Sequence, residues 1–475
     1  MTLSRALLGV VLLAASLAAQ PKPPSEDLEK ILRKFALVLG AVEENYADPT
    51  DADALIYRGA IPGMLRTLDP YSVFFDPGQF HQLQQQQQAR VEGFGTIVSV
   101  VPGRVVVLEA QTGGPAARAG IQPGDEILEI NGYRIEFLDL PQLVELLTEA
   151  KKAAAQLRFM RFGSAALQSL TVTPAEMAQP SVSRVFFLQP GLGYIKLDGF
   201  ETTSATELRE AIEKLRSSGM NKLVLDLRDN PGGLLDAATA ICGYFLEPGT
   251  LIISARGRAQ QDKFLNVVAD AKPYDFPLAV LVNQKSASAS EILTGALQDH
   301  HRAVIVGVQT YGKGVVQGVY PLSQGTGLAL ATAQYFTPAG RSIQRAYPGL
   351  RFTNPSTGPG GITPDVVVEV AGYNDWQAYL EARQAFLDFA RTFVAGNKSI
   401  SEDFAVNGDV LESFKGYLHQ HNIGMNEMLW SSNLPYIRHH LRVEIFNLAL
   451  GVAKGDQIAA AADRQIQAAV AALSK

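Results

Sequence analysis

One cysteine, Cys242, stands in 475 residues, so no intrachain disulfide can form and stability must come from burial alone. Lys and Arg number 41 against 47 Asp and Glu, a net charge of −6, and no basic block is placed to neutralise several phosphates. No nucleic-acid partner is therefore expected. The apolar run at the N-terminus, Ala6 to Ala19, has 14 residues. As a helix it would reach about 21 Å, short of a hydrocarbon core of roughly 30 Å. With Arg5 ahead of it and the small residues of Ser16-Leu17-Ala18 at its end, it reads as an export signal that is cleaved rather than kept as an anchor. The 7 histidines show no HxxxH-type metal spacing, and no metal is expected.

What is present is an ordinary globular composition, 47% hydrophobic and 19% charged, in a chain too long for one core. After a signal at 1–19, the region 20–88 reads as helical: Leu28, Ile31, Leu32, Phe35, Val38, Leu39 and Val42 recur at helical spacing on a helix suited to another chain. Pro and Asp then break the pattern in "LDPYSVFFDP", and a short glutamine tract follows, Gln84 to Gln88. Short β-like runs mark 89–177 as a separate small domain. Over 178–372, β runs such as "KLVLDL" and "LAVLVN" alternate with helical segments, which predicts an α/β sheet covered by helices. In "SATELREAIEKLRSSG", Ser204 and Glu207 are spaced as a capping box. The region 373–475 reads as helical, with Trp376, Tyr379, Phe386, Phe389 and Phe393 spaced to pack on the body of the chain.

Three stretches could carry chemistry. In "SASASEILTG", Ser288 and Glu291 are spaced as a capping box, yet a helix start also suits a hydroxyl about to carry negative charge. The local pattern fits either role. A nucleophile needs a base, and His300 and His301 stand about 18 Å away at the far end of the same helix. Lys313 in "TYGKGVVQ" lies between Gly312 and Gly314, which allow a loop to approach another backbone closely, and Gln317 four residues on shares its face. A plain surface lysine is the alternative there. In "LVLDLRDNPGGLL", Gly232 and Gly233 leave backbone N–H groups uncovered, as an oxyanion hole requires. Asp226 and Arg228 beside them could equally be a structural ion pair.

Together with "LDPYSVFFDP", "GGPAARAGIQPGDEILEING", "YFTPAGRSIQ" and "GITPDVVVEV", and in the same order, these stretches resemble the carboxyl-terminal processing peptidases, or tail-specific proteases, over roughly residues 26 to 370. The resemblance implies a crotonase-like α/β serine peptidase core with an inserted PDZ-like β domain between helical N- and C-terminal regions. It implies Ser288 as nucleophile, Lys313 as base 25 residues on and Gln317 as its partner. The oxyanion donors would be the N–H of Ala289 and of Gly232 or Gly233, and no cofactor is needed. In the PDZ-like domain, Gly93, Phe94, Gly95, Thr96 and Ile97 would receive a peptide's C-terminus, although Phe94-Gly95-Thr96-Ile97 stands where a Gly-Ile-Gly pattern is usual. The expected protein is an exported, periplasmic serine endopeptidase acting on proteins or peptides with exposed C-termini. A homo-oligomer through the helical ends and an activating adaptor protein are the further partners expected. The rival expectation is a PDZ adaptor or envelope scaffold whose peptidase core is inactive or latent.

Overall fold

The alternation of β and helical runs in the central region becomes a 6-stranded sheet in the computed structural model, which describes residues 26–474 apart from 88, 89, 162, 163, 165, 179, 259, 347–358, 371 and 398. The proposed signal lies outside the described residues, as does Gln88. In spatial order the strands are Val182–Gln189, Leu192–Leu197, Lys222–Asp226, Leu278–Val282, Val304–Gly307 and Val366–Val367. The first two form an antiparallel hairpin, and every later pairing is parallel. Parallel central strands are covered on both faces, which is why Leu278–Val282 is an unbroken apolar run, buried throughout.

The period of two divides those side chains between two layers. Leu223, Leu225, Val280 and Val282 join one core with residues of the helices Ser204–Ser217, Leu235–Cys242 and Ala289–Asp299. Val224, Ala279 and Leu281 face the other way, against Ile466, Ala469 and Leu473 of the helix Arg464–Ala472 and its end. A second, 5-stranded sheet is antiparallel and brings Val73–Phe75 and Val315–Pro321 onto opposite edges of Gly327–Phe336.

The expected capping box of Ser204 and Glu207 is not formed. Thr203 is the N-cap, the Ser204 hydroxyl accepts from Glu201 N at 2.7 Å, and Glu207 accepts from Val182 N at 3.1 Å. Contacts with the neighbouring strand and loop replace the local motif.

The small domain is a sheet in the order Thr96–Val101, Arg104–Ala110, Glu126–Ile130, Ala155–Met160, Leu167–Val172, with the helix Leu140–Ala150 beside it and a core of its own. The chain enters and leaves it along one two-stranded ribbon, Arg90–Gly93 paired with Ala175–Ala178. The C-terminal helices also build their own core, in which Trp376, Phe386 and Phe389 are buried and Phe393 partly so, whereas Tyr379 is 39% exposed. This unit grips the small domain: Arg391 pairs with Glu126 at 2.6 Å, Arg104 bridges Glu126 and Asp388, and Gln384 donates to Ser99 Oγ at 2.7 Å. On the first helix, Glu26–Asn45, the residues Ile31, Leu32, Phe35 and Val38 are exposed. Among the described residues no helix is long and apolar enough to cross a membrane.

Candidate active site

The turn after strand Lys222–Asp226 is built around Asn230, which is fully buried. Its amide donates to Leu197 O at 2.8 Å, its Oδ1 accepts from Gly232 N at 2.8 Å, and its carbonyl accepts from Ala287 N at 3.0 Å. Gly232 adopts φ +98°, and a Cβ there would lie 2.6 Å from Ala287 O and 2.8 Å from Ser288 Cβ. Only glycine permits that approach. The glycine pair therefore lies against the serine segment, and the two glycines differ in one respect. The N–H of Gly232 is taken by Asn230, while those of Gly233 and Ala289 have no acceptor among the described residues.

The three alternating serines have separate tasks. Ser286 Oγ donates to Leu227 O at 2.7 Å and Ser290 Oγ donates to Asn230 O at 3.0 Å, stitching the segment to the glycine turn on both sides. Between them Ser288 is held at φ +55°, ψ −113°, a conformation that costs a non-glycine residue on the order of 1–3 kcal/mol and persists where the surroundings impose it. Ser288 caps the helix Ala289–Asp299, and its backbone N–H donates to Glu291 Oε2 at 2.9 Å.

Glu291 does much more than complete a cap. It is fully buried, and the oxygen that accepts from Ser288 N also accepts from Lys313 N at 2.9 Å. Its other oxygen accepts from Gly312 N at 2.7 Å and Thr310 Oγ1 at 2.5 Å. One carboxylate oxygen thus joins the serine and lysine segments, so their backbone nitrogens are no farther apart than two hydrogen-bond lengths. Burial pushes this carboxyl up from its ordinary value, against the pull of the four donors.

The glycines around Lys313 do allow a close approach to another backbone. A Cβ on Gly314 would meet Gln344 N at 2.3 Å, and one on Gly312 would meet Arg345 Cβ at 2.7 Å. Burial lowers the Lys313 ammonium below the usual lysine value, and the charge of Glu291 opposes that shift. Its Nζ lies 5.7 Å from the centroid of the Tyr71 ring. Gln317 donates from Nε2 to Tyr71 O at 2.7 Å, so it meets the lysine's surroundings by way of Tyr71. Among the described residues no hydrogen bond joins Lys313 Nζ to Ser288 Oγ or to Gln317.

Tyr71 belongs to "LDPYSVFFDP". Buried Asp69 accepts from Tyr71 N at 2.7 Å and Ser72 N at 2.6 Å, a turn that sets the ring over the lysine. Glu291, Asn230 and Tyr71 are site residues that pattern reading missed. The capping-box position of Glu291 hinted at it, and Asn230 and Tyr71 lie within "LVLDLRDNPGGLL" and "LDPYSVFFDP" without a role being assigned to them. His300 is the C-cap at the far end of the serine's helix and contacts Leu251 O. Among the described residues no cluster of His, Cys, Asp and Glu is arranged to hold a metal ion.

In the small domain, Gly93 ends the ribbon, Phe94 packs partly on the domain core, and Gly95 turns the chain at φ +72° into the strand that begins with Thr96. Among the described residues that strand pairs on one edge only, with Arg104–Ala110. Ile97, Leu140 and Val144 are exposed.

The models for the PDZ domain and for peptidase family S41 match residues 106–158 and 191–368, the second range holding every element of the serine–lysine site except the Tyr71 turn. The carboxy-terminal-processing protease of Bartonella bacilliformis is 35% identical over 76% of this chain and 81% of its own length. The chain belongs to the S41 carboxyl-terminal processing peptidases. Carboxyl-terminal-processing peptidase 2, chloroplastic, of Arabidopsis thaliana is a further relative, 37% identical over 64% of this chain, which spans only 59% of that protein's length. Among solved structures, the photosystem II D1 C-terminal processing protease aligns with a TM-score of 0.41 at 28% identity, covering 70% of this chain and 86% of that one.

Proposed function

We propose that this S41 peptidase is an exported serine endopeptidase in which Ser288 is the nucleophile and Lys313 the general base. The observation that carries the reading is the shared oxygen of Glu291, which holds the backbones of both residues together. A lysine serves as a base only when neutral, and the burial of Lys313 favours that form. Lys313 Nζ takes the proton of Ser288 Oγ as the oxygen attacks the scissile carbonyl. The N–H groups of Gly233 and Ala289 receive the oxyanion, being the two donors left open beside the serine. Collapse returns the proton from Lys313 to the leaving amine, and water then releases the acyl group by the same base. Gln317 acts on Lys313 through Tyr71. A substrate's C-terminal segment joins the open edge of strand Thr96–Val101 beside the helix Leu140–Ala150, with its carboxylate at Gly93 to Ile97.

A latent resting state is the second reading. It is favoured by the lack of a hydrogen bond between Ser288 Oγ and Lys313 Nζ among the described residues, since catalytic bonds often tighten only on binding. Substrate or an activating adaptor would complete the pair. The exposed stripe of the first helix suits a second copy of the chain, and the export signal suits a periplasmic location.

The test is mass spectrometry of loosely folded substrates with varied C-termini, incubated with the mature protein and with Ser288→Ala. Cleavage by the parent alone is expected. Retention of tailed substrates without cleavage by either would replace the enzyme with an adaptor.

A further inference from the structure

The guanidinium of Arg228 faces two ways. Toward its own strand, Nε and Nη2 donate to the buried carboxylate of Asp226 at 3.0 and 2.6 Å, and that carboxylate also accepts from Tyr194 Oη at 2.7 Å and Arg228 N at 2.9 Å. Toward the C-terminus, Nη1 donates to Asp463 Oδ2 at 2.6 Å and to Gln465 Oε1 at 3.0 Å. Arg228 immediately precedes the turn Asp229-Asn230-Pro231-Gly232-Gly233, so whatever fixes it fixes the start of that turn. Asp463 and Gln465 lie outside the range matched by the peptidase model, which ends at 368. Their own placement is firm. Asp463 Oδ1 caps the helix Arg464–Ala472, and Gln465 Nε2 donates to Val368 O at 2.8 Å. Lys222 Nζ, at the other end of the Asp226 strand, donates to Leu473 O at 2.7 Å.

We infer that Asp463 and Gln465 are positioning residues of the peptidase site, which hold Arg228 and so keep the glycine turn aimed at the oxyanion. The inference rests on the proposed role of that turn. An arginine bonded on one side only could swing with its strand end, and a displacement of about 1 Å in such a site can cost as much as a hundredfold in rate. The acidic and amide oxygens of the C-terminal segment close the second side.

Asp463→Asn is the discriminating variant, because the asparagine Oδ1 can still cap the helix while its NH2, a donor, stands where Oδ2 accepted from Arg228. It is combined with Gln465→Ala. Asp456→Asn, which breaks the Arg184 ion pair made by the same C-terminal segment, is the control. On full-length protein, hydrogen exchange of the peptide spanning 227–235 is expected to quicken in the double variant but not in the control, with the helix Ser204–Ser217 unchanged in both. Hydrolysis of a tailed peptide is expected to lose roughly tenfold to a hundredfold in kcat with KM unchanged. Unaltered exchange at 227–235 overturns the inference whatever the activity, as does full kcat in the double variant. An inactive parent with quickened exchange would instead overturn the proposed function and leave the anchoring role established.

Discussion

Replacing Glu291 with glutamine changes one atom and reverses one polarity at the centre of the site. Each carboxylate oxygen accepts two hydrogen bonds, from Ser288 N and Lys313 N on one side and from Thr310 Oγ1 and Gly312 N on the other. Turned toward Ser288 N and Lys313 N, the glutamine NH2 meets two backbone donors; turned the other way it meets the donor Gly312 N and can donate only to the second lone pair of Thr310 Oγ1, the first being taken by Ile362 N at 2.7 Å. In the better orientation one donor, Gly312 N, is left unbonded, so the variant is expected to lose about 1–3 kcal/mol of core stability. The kinetic sign is fixed separately. The charge of Glu291 holds the Lys313 ammonium up against burial, so its removal lets the lysine become neutral at lower pH. The rising limb of kcat/KM against pH should then move toward acid while the plateau falls, because serine and lysine are no longer tied to one oxygen. Denaturant titration of the peptidase core and a pH series on one peptide read both effects. A variant as stable as the parent, with the same limb position, would refute the assignment of Glu291 as the shared acceptor.

Gly232→Ala should lose peptidase activity and at least about 1 kcal/mol of stability, since alanine at φ +98° is strained and its methyl would meet Ala287 O; a fully active variant would contradict the packing of the turn on the serine segment. Arg391→Ala removes the pairing with Glu126 that ties the small domain to the C-terminal helices, so limited proteolysis should cut the ribbon near residues 90 and 178 faster, with the peptidase core equally stable. If the exposed stripe of the first helix joins two copies, Phe35→Asp should shift the mass in light scattering to a monomer, and a monomeric parent at micromolar concentration would count against that pairing.

Much of the site was legible because its chemistry leaves local marks. Gly312 and Gly314 around Lys313, and the glycine pair after Asn230-Pro231, mark close backbone approach in the sequence itself. Glu291 was disguised, because a glutamate three residues after a serine is what a simple helix cap also requires, and only tertiary structure shows four donors converging on it. Tyr71 in its Asp69 turn and Asp463 at its helix cap carry no local mark of their place at the site. They act through contacts made across hundreds of residues, which no periodicity encodes. Ser204 and Glu207 teach the reverse, for a good local cap signal yields when a strand and a loop offer better-placed partners. Which of Gly232 and Gly233 has its N–H already bonded depends on the side chain of Asn230, a detail below the level of pattern.

The helix Arg464–Ala472 also orders events in time. One face of the central sheet, with Val224, Ala279 and Leu281, is covered by Ile466, Ala469 and Leu473, which follow them by 185 to 249 positions. Until that late segment has been synthesised, the sheet is an apolar surface with one open side, and Arg228 lacks half of its anchors. A nascent chain carrying every proposed catalytic residue is thus not yet the folded core. Under the proposed mechanism, cutting power would await the helix Arg464–Ala472 even in a chain that already carries Ser288 and Lys313.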